Sequence, residues 1–385
     1  MAKRSTDLPR RSAAAAPWPL AAADGTVLRP PPTRRGRGSL SNASGRFEAE
    51  QRELVDDGWD NLDGRAEPAP LRTSLTRDTS RTIIARNTSP DVPFDRSINV
   101  YRGCEHGCVY CFARPTHAFL GLSPGLDFET RLFYKPAAAA LLQKELGAPG
   151  YRVRPIAMGT NTDPYQPVEK SLRLTRAVLE VLDRHNHPVT IVTKSHLVTR
   201  DLDILAPMAA RRLVKVALSV TTLDARLARA MEPRAATPAR RLDAMGRLAR
   251  AGVPAAVMVA PVIPGLNDAK IEAILAAAAT AGAREAGHIL LRLPLEIRQL
   301  FREWLAEAAP DRARRILKLI RDMRGGRDYD ATFGRRMTGS GPYARLIARR
   351  FDLACRRLGL NERSHELDLT AFRKPSEPDG QLSLL

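Results

Sequence analysis

The sequence predicts an α/β fold built on a parallel, barrel-like sheet with helices outside it, followed by a basic helical extension. Three observations carry this expectation. From residue 98 onward, apolar runs of strand length alternate six times with longer stretches whose apolar residues recur about every 3.6 positions. That alternation sets parallel strands side by side, each connecting helix packing back on the sheet. Turn formers then punctuate the pattern. Gly252 and Gly282 fall at or just past helix ends, and Pro188 and Pro254 at strand entrances, where a missing amide donor is tolerated.

In chain order, residues 1–40 are rich in Pro, Ala and Arg and poor in aromatics, which predicts a flexible tail. Residues 41–96 hold a short polar helix candidate at 47–56, a break at Pro68 and Pro70, and extended material to Ser89. Their apolar content is too low for an independent core, so they are expected to wrap a larger body. Residues 97–296 form the barrel. Its strands are expected at 98–102, 153–159, 189–193, 214–220, 255–261 and 288–293, and its helices at 137–146, 172–184, 201–211, 239–251 and 270–283. Residues 297–374 predict an Arg-rich extension with helices at 298–308, 311–323 and 343–358, and 375–385 a polar tail. In a barrel of parallel strands the chemistry sits at the C-terminal strand ends.

The chain of 385 residues has length enough for one large domain or two ordinary ones. No run of 18 apolar residues is present, so no membrane span is expected. Pro9, Pro17, Pro19 and Asp24 interrupt the Ala-rich N-terminus, which predicts no secretory signal. Four cysteines, three of them in one loop, argue for reduced thiols in a cytoplasmic protein. The net charge is +19, and 52 of the 61 basic residues are arginine. Between 312 and 357 the local balance is +10, which reads either as a solvated outer face or as a phosphate-contacting surface.

The stretch INVYRGCEHGCVYCFARPTH, residues 98–117, is the centre of the barrel pattern. It places Cys104, Cys108 and Cys111 at C-x3-C-x2-C spacing directly after the first strand candidate. Three thiolates on one loop can hold three corners of a cubane iron–sulfur cluster and leave one iron open to a ligand. A zinc knuckle completed by His106, His117 or Cys355 is the alternative. A ferredoxin would need a fourth clustered cysteine, and one remaining Cys cannot ligate a second cubane.

At Cys104, Cys108, Tyr110 and Cys111 the sequence resembles the radical S-adenosylmethionine (SAM) superfamily, whose signature is three cysteines at this spacing with an aromatic before the third. The wider set YRGCEHGCVYCFARPTH, GTNTDPYQPVE, VTKS and LSVTT is similar to the spore photoproduct lyase-like branch, also labelled DNA repair photolyases. The resemblance implies a partial (βα)6 barrel of the radical SAM type, with a 4Fe-4S cluster and SAM as cofactors. It also implies an electron donor such as flavodoxin or ferredoxin.

Site residues follow from the same resemblance read beside the residues themselves. Tyr110 would pack on or hydrogen-bond the adenine, or serve as a core aromatic. Thr160, Asn161 and Asp163 cluster oxygens after the second strand and would meet the SAM amino group; a capped turn explains them equally. Lys194, at the end of VTIVT, would pair with the methionyl carboxylate, and Ser219 would bind the ribose. The run APVIPGLND would flank the adenine. Two departures bear on the reaction. Where the lyase carries a hydrogen-donating cysteine this chain has Met158-Gly159, and where it has a tyrosine after the third cluster cysteine this chain has Phe112. The expected function is reductive SAM cleavage to a 5′-deoxyadenosyl radical acting on a nucleic acid or nucleotide. Radical modification of a peptide or metabolite, and a zinc-containing nucleic-acid-binding protein, are the alternatives.

Overall fold

A computed structural model describes residues 36–48, 50 and 71–375, and two short paired strands, Leu20–Ala21 and Val27–Leu28. The expected helix at 47–56 and most of the expected tail at 1–40 lie outside these residues.

Six parallel strands form the body: β1 (Arg96–Ile98), β2 (Ile156–Met158), β3 (Val189–Thr193), β4 (Val214–Ser219), β5 (Ala255–Val262) and β6 (Glu285–Leu290). They pair in chain order, and an antiparallel strand, Ile84–Arg86, closes the β1 edge. β1 and β6 are not paired to each other, so the sheet is a partial barrel. Helices α1 (Ala138–Gly147), α2 (Leu174–Arg184), α3 (Leu202–Ala210), α4 (Pro238–Arg250) and α5 (Ile271–Thr280) make the connections.

The alternation of each strand separates two environments. Val189, Ile191, Val214, Val216, Leu218, Val257 and Val259 are buried with helix residues such as Leu182, Leu205, Leu248 and Ile274. The intervening Thr190, Val192, Lys215, Ala217, Ala256 and Met258 face the other way and are only half-buried. The barrel interior is therefore lined by small and polar side chains and is not packed solid. Lys215 Nζ meets Glu285 at 2.9 Å toward the N-terminal ends of their strands, and His365 adds a 3.2 Å contact to the same carboxylate. The opposite, C-terminal end carries the cysteine loop.

The strand expected at 153–159 is shorter, Ile156–Met158, and two other boundaries differ from expectation for physical reasons. The strand expected at 98–102 is interrupted at Asn99–Val100. Arg96–Ile98 pairs in the main sheet, while Tyr101–Arg102 joins Arg131–Tyr134 and Ser74–Arg77 in a separate three-stranded sheet. The last strand begins at Glu285, three residues before the expected start, because its register on Ala256–Val259 extends pairing into polar residues.

The C-terminal extension is helical as expected: α6 (Ile297–Ala308), α7 (Pro310–Asp322) and α8 (Gly341–Arg357). In α6 the buried residues Ile297, Leu300, Phe301, Trp304 and Leu305 fall at helical spacing on one face. α8 lies against α5, with Arg350 paired to Glu272 at 2.6 Å.

Residues 36–40, assigned by composition to the flexible tail, are ordered and mostly buried. The Gly38 and Ser39 amides donate to the Glu129 carboxylate at 2.9 and 2.8 Å, and Arg37 donates to the Glu129 and Leu71 carbonyls. A Cβ at Gly38 would lie 1.7 Å from the Gly107 carbonyl oxygen, so only glycine lets this segment press on the cysteine loop. Backbone hydrogen bonds order the segment, and composition does not report them.

Candidate active site

The cysteine loop leaves the first strand and is bound from three sides. Arg114, fully buried, donates to the Cys108, Pro124 and Gly125 carbonyls and pairs with Glu129 at 2.5 Å. Val109 donates its amide to the Met231 carbonyl at 3.0 Å, and Cys104 donates its amide to Phe128. Cys104 and Cys108 are buried and Cys111 is half-buried. Burial, the Asp163 carboxylate and the neighbouring thiols raise the Cys104 pKa well above its ordinary value. Burial likewise pushes Cys108 up to about 12, although Lys194 opposes it. Unligated, these thiols favour their neutral form, and a cationic centre is what would draw off their protons.

Asp163 ties the second strand's exit to the loop. One carboxylate oxygen accepts from the Thr193 hydroxyl at 2.7 Å and the Tyr165 amide at 2.9 Å. The other accepts from the Lys194 amide at 2.8 Å and lies 3.3 Å from His106 Nδ1. Burial pushes this carboxyl up, but His106, Thr193 and Lys194 outweigh it and hold it at about 2. Both oxygens are thus engaged within the protein, and Asp163 fastens the β2 exit to the β3 exit and to His106. Thr162 and Gln166 add bonds to the Gly103 carbonyl at 2.6 and 3.3 Å. Thr160 and Asn161 bond to Asn99, joining the β1 and β2 exits.

Tyr110, Lys194 and Ser219 come together through two residues that sequence reasoning missed. The Tyr110 hydroxyl donates to Glu232, which also accepts from the Thr221 hydroxyl at 2.8 Å and pairs with Arg241. Arg241 donates in turn to the Ser219 carbonyl at 2.9 Å. Lys194 Nζ lies 5.7 Å from the Tyr110 ring centre. Burial disfavours the Lys194 cation, yet Cys108 and Glu232 raise its pKa. Burial opposes ionisation of Glu232 too, but Arg241 and Lys194 lower its pKa. Glu232 and Arg241 follow the short helix Ala225–Met231 and open α4, and no spacing in the sequence links them to the cysteine loop. The hydroxyl expected to reach adenine is therefore occupied, while the Ser219 hydroxyl takes no hydrogen bond among the described residues.

The alternative ligands lie elsewhere. His117 is buried against Phe128, donates from Nε2 to the Arg131 carbonyl at 2.9 Å, and burial lowers its pKa to about 4. Cys355 sits on α8 in the main core, apart from the apolar groups around Cys104 and Cys108. Among the described residues, no three His, Cys, Asp or Glu side chains are grouped as ligands of one metal ion. In a cubane each cysteine binds its own iron, so its thiols need not converge on a point. Where the resemblance set a hydrogen-donating cysteine, Met158 is in the core, and a Cβ on Gly159 would lie 2.0 Å from the Val192 carbonyl oxygen.

The sequence model of the radical SAM superfamily matches residues 98–278. An uncharacterized protein of Mycobacterium tuberculosis is 40% identical over 232 residues, spanning 60% of this chain and 68% of the relative. An uncharacterized protein of Methanocaldococcus jannaschii is 28% identical over 171 residues, 44% of this chain and 61% of the relative. Among solved structures, spore photoproduct lyase complexed with dinucleoside spore photoproduct superposes with a TM-score of 0.52 at 15% identity, covering 74% of this chain and 80% of that one. A variant of that lyase with bound AdoMet and dinucleoside spore photoproduct gives 0.50 at 14% identity, with the same coverage. At that identity the likeness to the lyase is one of fold. No described helix is long and apolar enough to cross a membrane. With its cysteine loop at the C-terminal end of a partial parallel barrel, the chain belongs to the radical SAM superfamily of enzymes.

Proposed function

We propose that Cys104, Cys108 and Cys111 hold a 4Fe-4S cluster whose open iron takes SAM, and that the substrate is a nucleic acid or nucleotide. The observation that carries this reading is the convergence of three strand exits on one loop: Asp163 after β2, Lys194 after β3, and Ser219 and Glu232 around and beyond the end of β4. The donor set fits the group. Its three thiols lie on one loop, Cys104 and Cys108 are buried, and Cys108 faces a lysine and an arginine that temper the negative charge there. When bound and reduced by a donor such as flavodoxin or ferredoxin, the cluster supplies the electron that splits SAM into methionine and a hydrogen-abstracting 5′-deoxyadenosyl radical.

The protein's part is binding, orientation and exclusion of water. Lys194, without a carboxylate at ion-pair distance among the described residues, is assigned to the methionyl carboxylate. The Ser219 hydroxyl is assigned to the ribose, and the Tyr110 ring, fixed through Glu232, to the wall beside the adenine. Thr160 and Asn161 are left for the methionyl amino group, while Asp163 positions the Lys194 backbone and His106. Reduced thiols of this kind suit the cytoplasm.

The test is anaerobic purification followed by iron analysis and a SAM-cleavage assay with dithionite. The expected protein is brown with about four irons per chain and releases 5′-deoxyadenosine. Ala at Cys104, Cys108 or Cys111 should abolish both properties, and Cys355→Ala should keep both. A colourless protein with one zinc, or loss of iron in the Cys355 variant, overturns the assignment.

A further inference from the structure

Nearly every deeply placed arginine here faces a carboxylate: Arg114 with Glu129, Arg241 with Glu232, Arg200 with Glu169, Arg336 with Asp91. Arg292 and Arg324 break the pattern. Among the described residues neither has a carboxylate at ion-pair distance, although Arg324 is only 2% exposed. Arg324 donates to the Leu291 and Arg335 carbonyls at 2.7 and 2.8 Å, which engages both terminal nitrogens but brings no carboxylate to ion-pair distance. Burial lowers its pKa; Tyr329 and Asp330 oppose this through space without reaching ion-pair distance, and Arg292 adds to it. The Arg292 guanidinium lies 4.9 Å from the Phe112 ring centre, touches the Tyr329 hydroxyl at 3.4 Å, and keeps its buried Nε without a partner. Unpaired cations of this depth are costly and are normally matched by an anion.

The location says where that anion would come from. Arg292 follows β6, and its neighbours Leu291 and Leu293 pack in one apolar cluster with Cys108, Tyr110 and Cys111. Phe112 directly follows Cys111 and is 46% exposed, so an aromatic ring and a cation stand together at the mouth of the cysteine loop. The loop that brings Tyr329 also carries Phe333, 55% exposed, with the Arg336 guanidinium 4.7 Å from its centre. Exposed aromatics paired with guanidiniums are what single-stranded nucleic acid uses, base stacked on ring and phosphate against cation. A lone carboxylate would use the arginines and leave the rings unexplained.

We propose that Arg292, backed by Arg324, seats a backbone phosphate of a single-stranded oligonucleotide while Phe112 stacks an adjacent base beside the cysteine loop. This deepens the function proposed above and rests on it. The probe is a fluorescein-labelled oligothymidylate titrated by anisotropy against the anaerobically purified full chain across a salt series. Arg292→Gln should weaken binding about tenfold and lower the log–log salt slope by about 0.7. Phe112→Leu, at an exposed position that leaves folding intact, should weaken it about fivefold or more. Arg292→Lys, which keeps the charge, should fall between wild type and the glutamine variant. Wild-type affinity in both Arg292→Gln and Phe112→Leu overturns the subsite. So does a wild-type chain that ignores the probe at low salt, and a peptide substrate then becomes the better reading. SAM cleavage by the wild type, assayed without oligonucleotide, reports separately on the cluster: its failure would sink the proposed function, whereas intact cleavage with insensitive variants sinks only the subsite.

Discussion

The cysteine loop and the C-terminal helices are both rich in charge, and the two are built differently. Around the loop the charges are buried and matched, Arg114 to Glu129 and Arg241 to Glu232 within a few ångströms of the cysteines' backbone. Across α7, α8 and the loop between them the arginines are mixed. Arg321 and Arg302 share Asp328, Arg336 takes Asp91, and Arg350 takes Glu272, each fastening one element to another. Arg314, Arg315, Arg345 and Arg349 are exposed, with no ion pair among the described residues. A local balance of +10 thus overstates the surface open to phosphates, because several of its members are structural ties. The role of a charge here is set by its partner and depth, and counting along the chain mixes the two.

Breaking the matched set should have the largest effect. Glu232→Gln leaves Arg241 buried without its counter-charge and frees the Tyr110 hydroxyl from its anionic acceptor. A loss of about 3–5 kcal/mol by chemical denaturation is expected, with much of it recovered when Arg241→Met is added. Equal stability of Glu232→Gln and wild type would erase the contrast between the two regions.

Acid should probe the same region. His117 is held neutral to about 4, below its ordinary 6.5, because burial disfavours the cation. The unfolded chain takes up that proton first, so stability should fall as pH drops from 6.5 toward 4 and level off below. The full contribution is about 3 kcal/mol. His117→Gln should flatten the slope of stability against pH in that window by up to one proton; an unchanged slope would place the acid sensitivity elsewhere, with His187 the next candidate.

The extension should respond least. Arg350→Ala removes a half-exposed pair with Glu272 and should cost about 1 kcal/mol or less. Arg314→Glu with Arg315→Glu should change stability by about 0.5 kcal/mol or less. If these two arginines touch phosphates, the salt slope for oligothymidylate should nonetheless drop by about 0.7 for each. An unchanged slope makes them a solvated face.

Much of the fold was legible because it repeats. The run 189–193 alternates buried and half-buried residues within its expected limits, and the helices around it end at glycines or short turns. The cysteine loop was equally readable, since its chemistry depends on spacing along the chain. Legibility fails where partners are distant. Glu232 lies in an unremarkable loop and gains its role only by meeting Tyr110 and Arg241. Asp163 stands where an ammonium ligand would be expected, yet its oxygens are claimed by Thr193, Lys194 and His106, which no local pattern announces. Residues 36–40 looked like a solvated tail because a segment held by backbone amides needs no apolar side chains.

That last segment governs who can reach the loop from outside. With Gly38 pressed on Gly107 and the amides of Gly38 and Ser39 bound to Glu129, one side of the cysteine loop is covered by peptide backbone. For the cluster proposed here that cover would act on its side as a gasket against dioxygen. A single methyl at 38 acts as a wedge, and its effect should be seen in how long the brown colour survives in air, before any change in turnover. A chain trimmed at residue 40 would lose that gasket while keeping every cysteine.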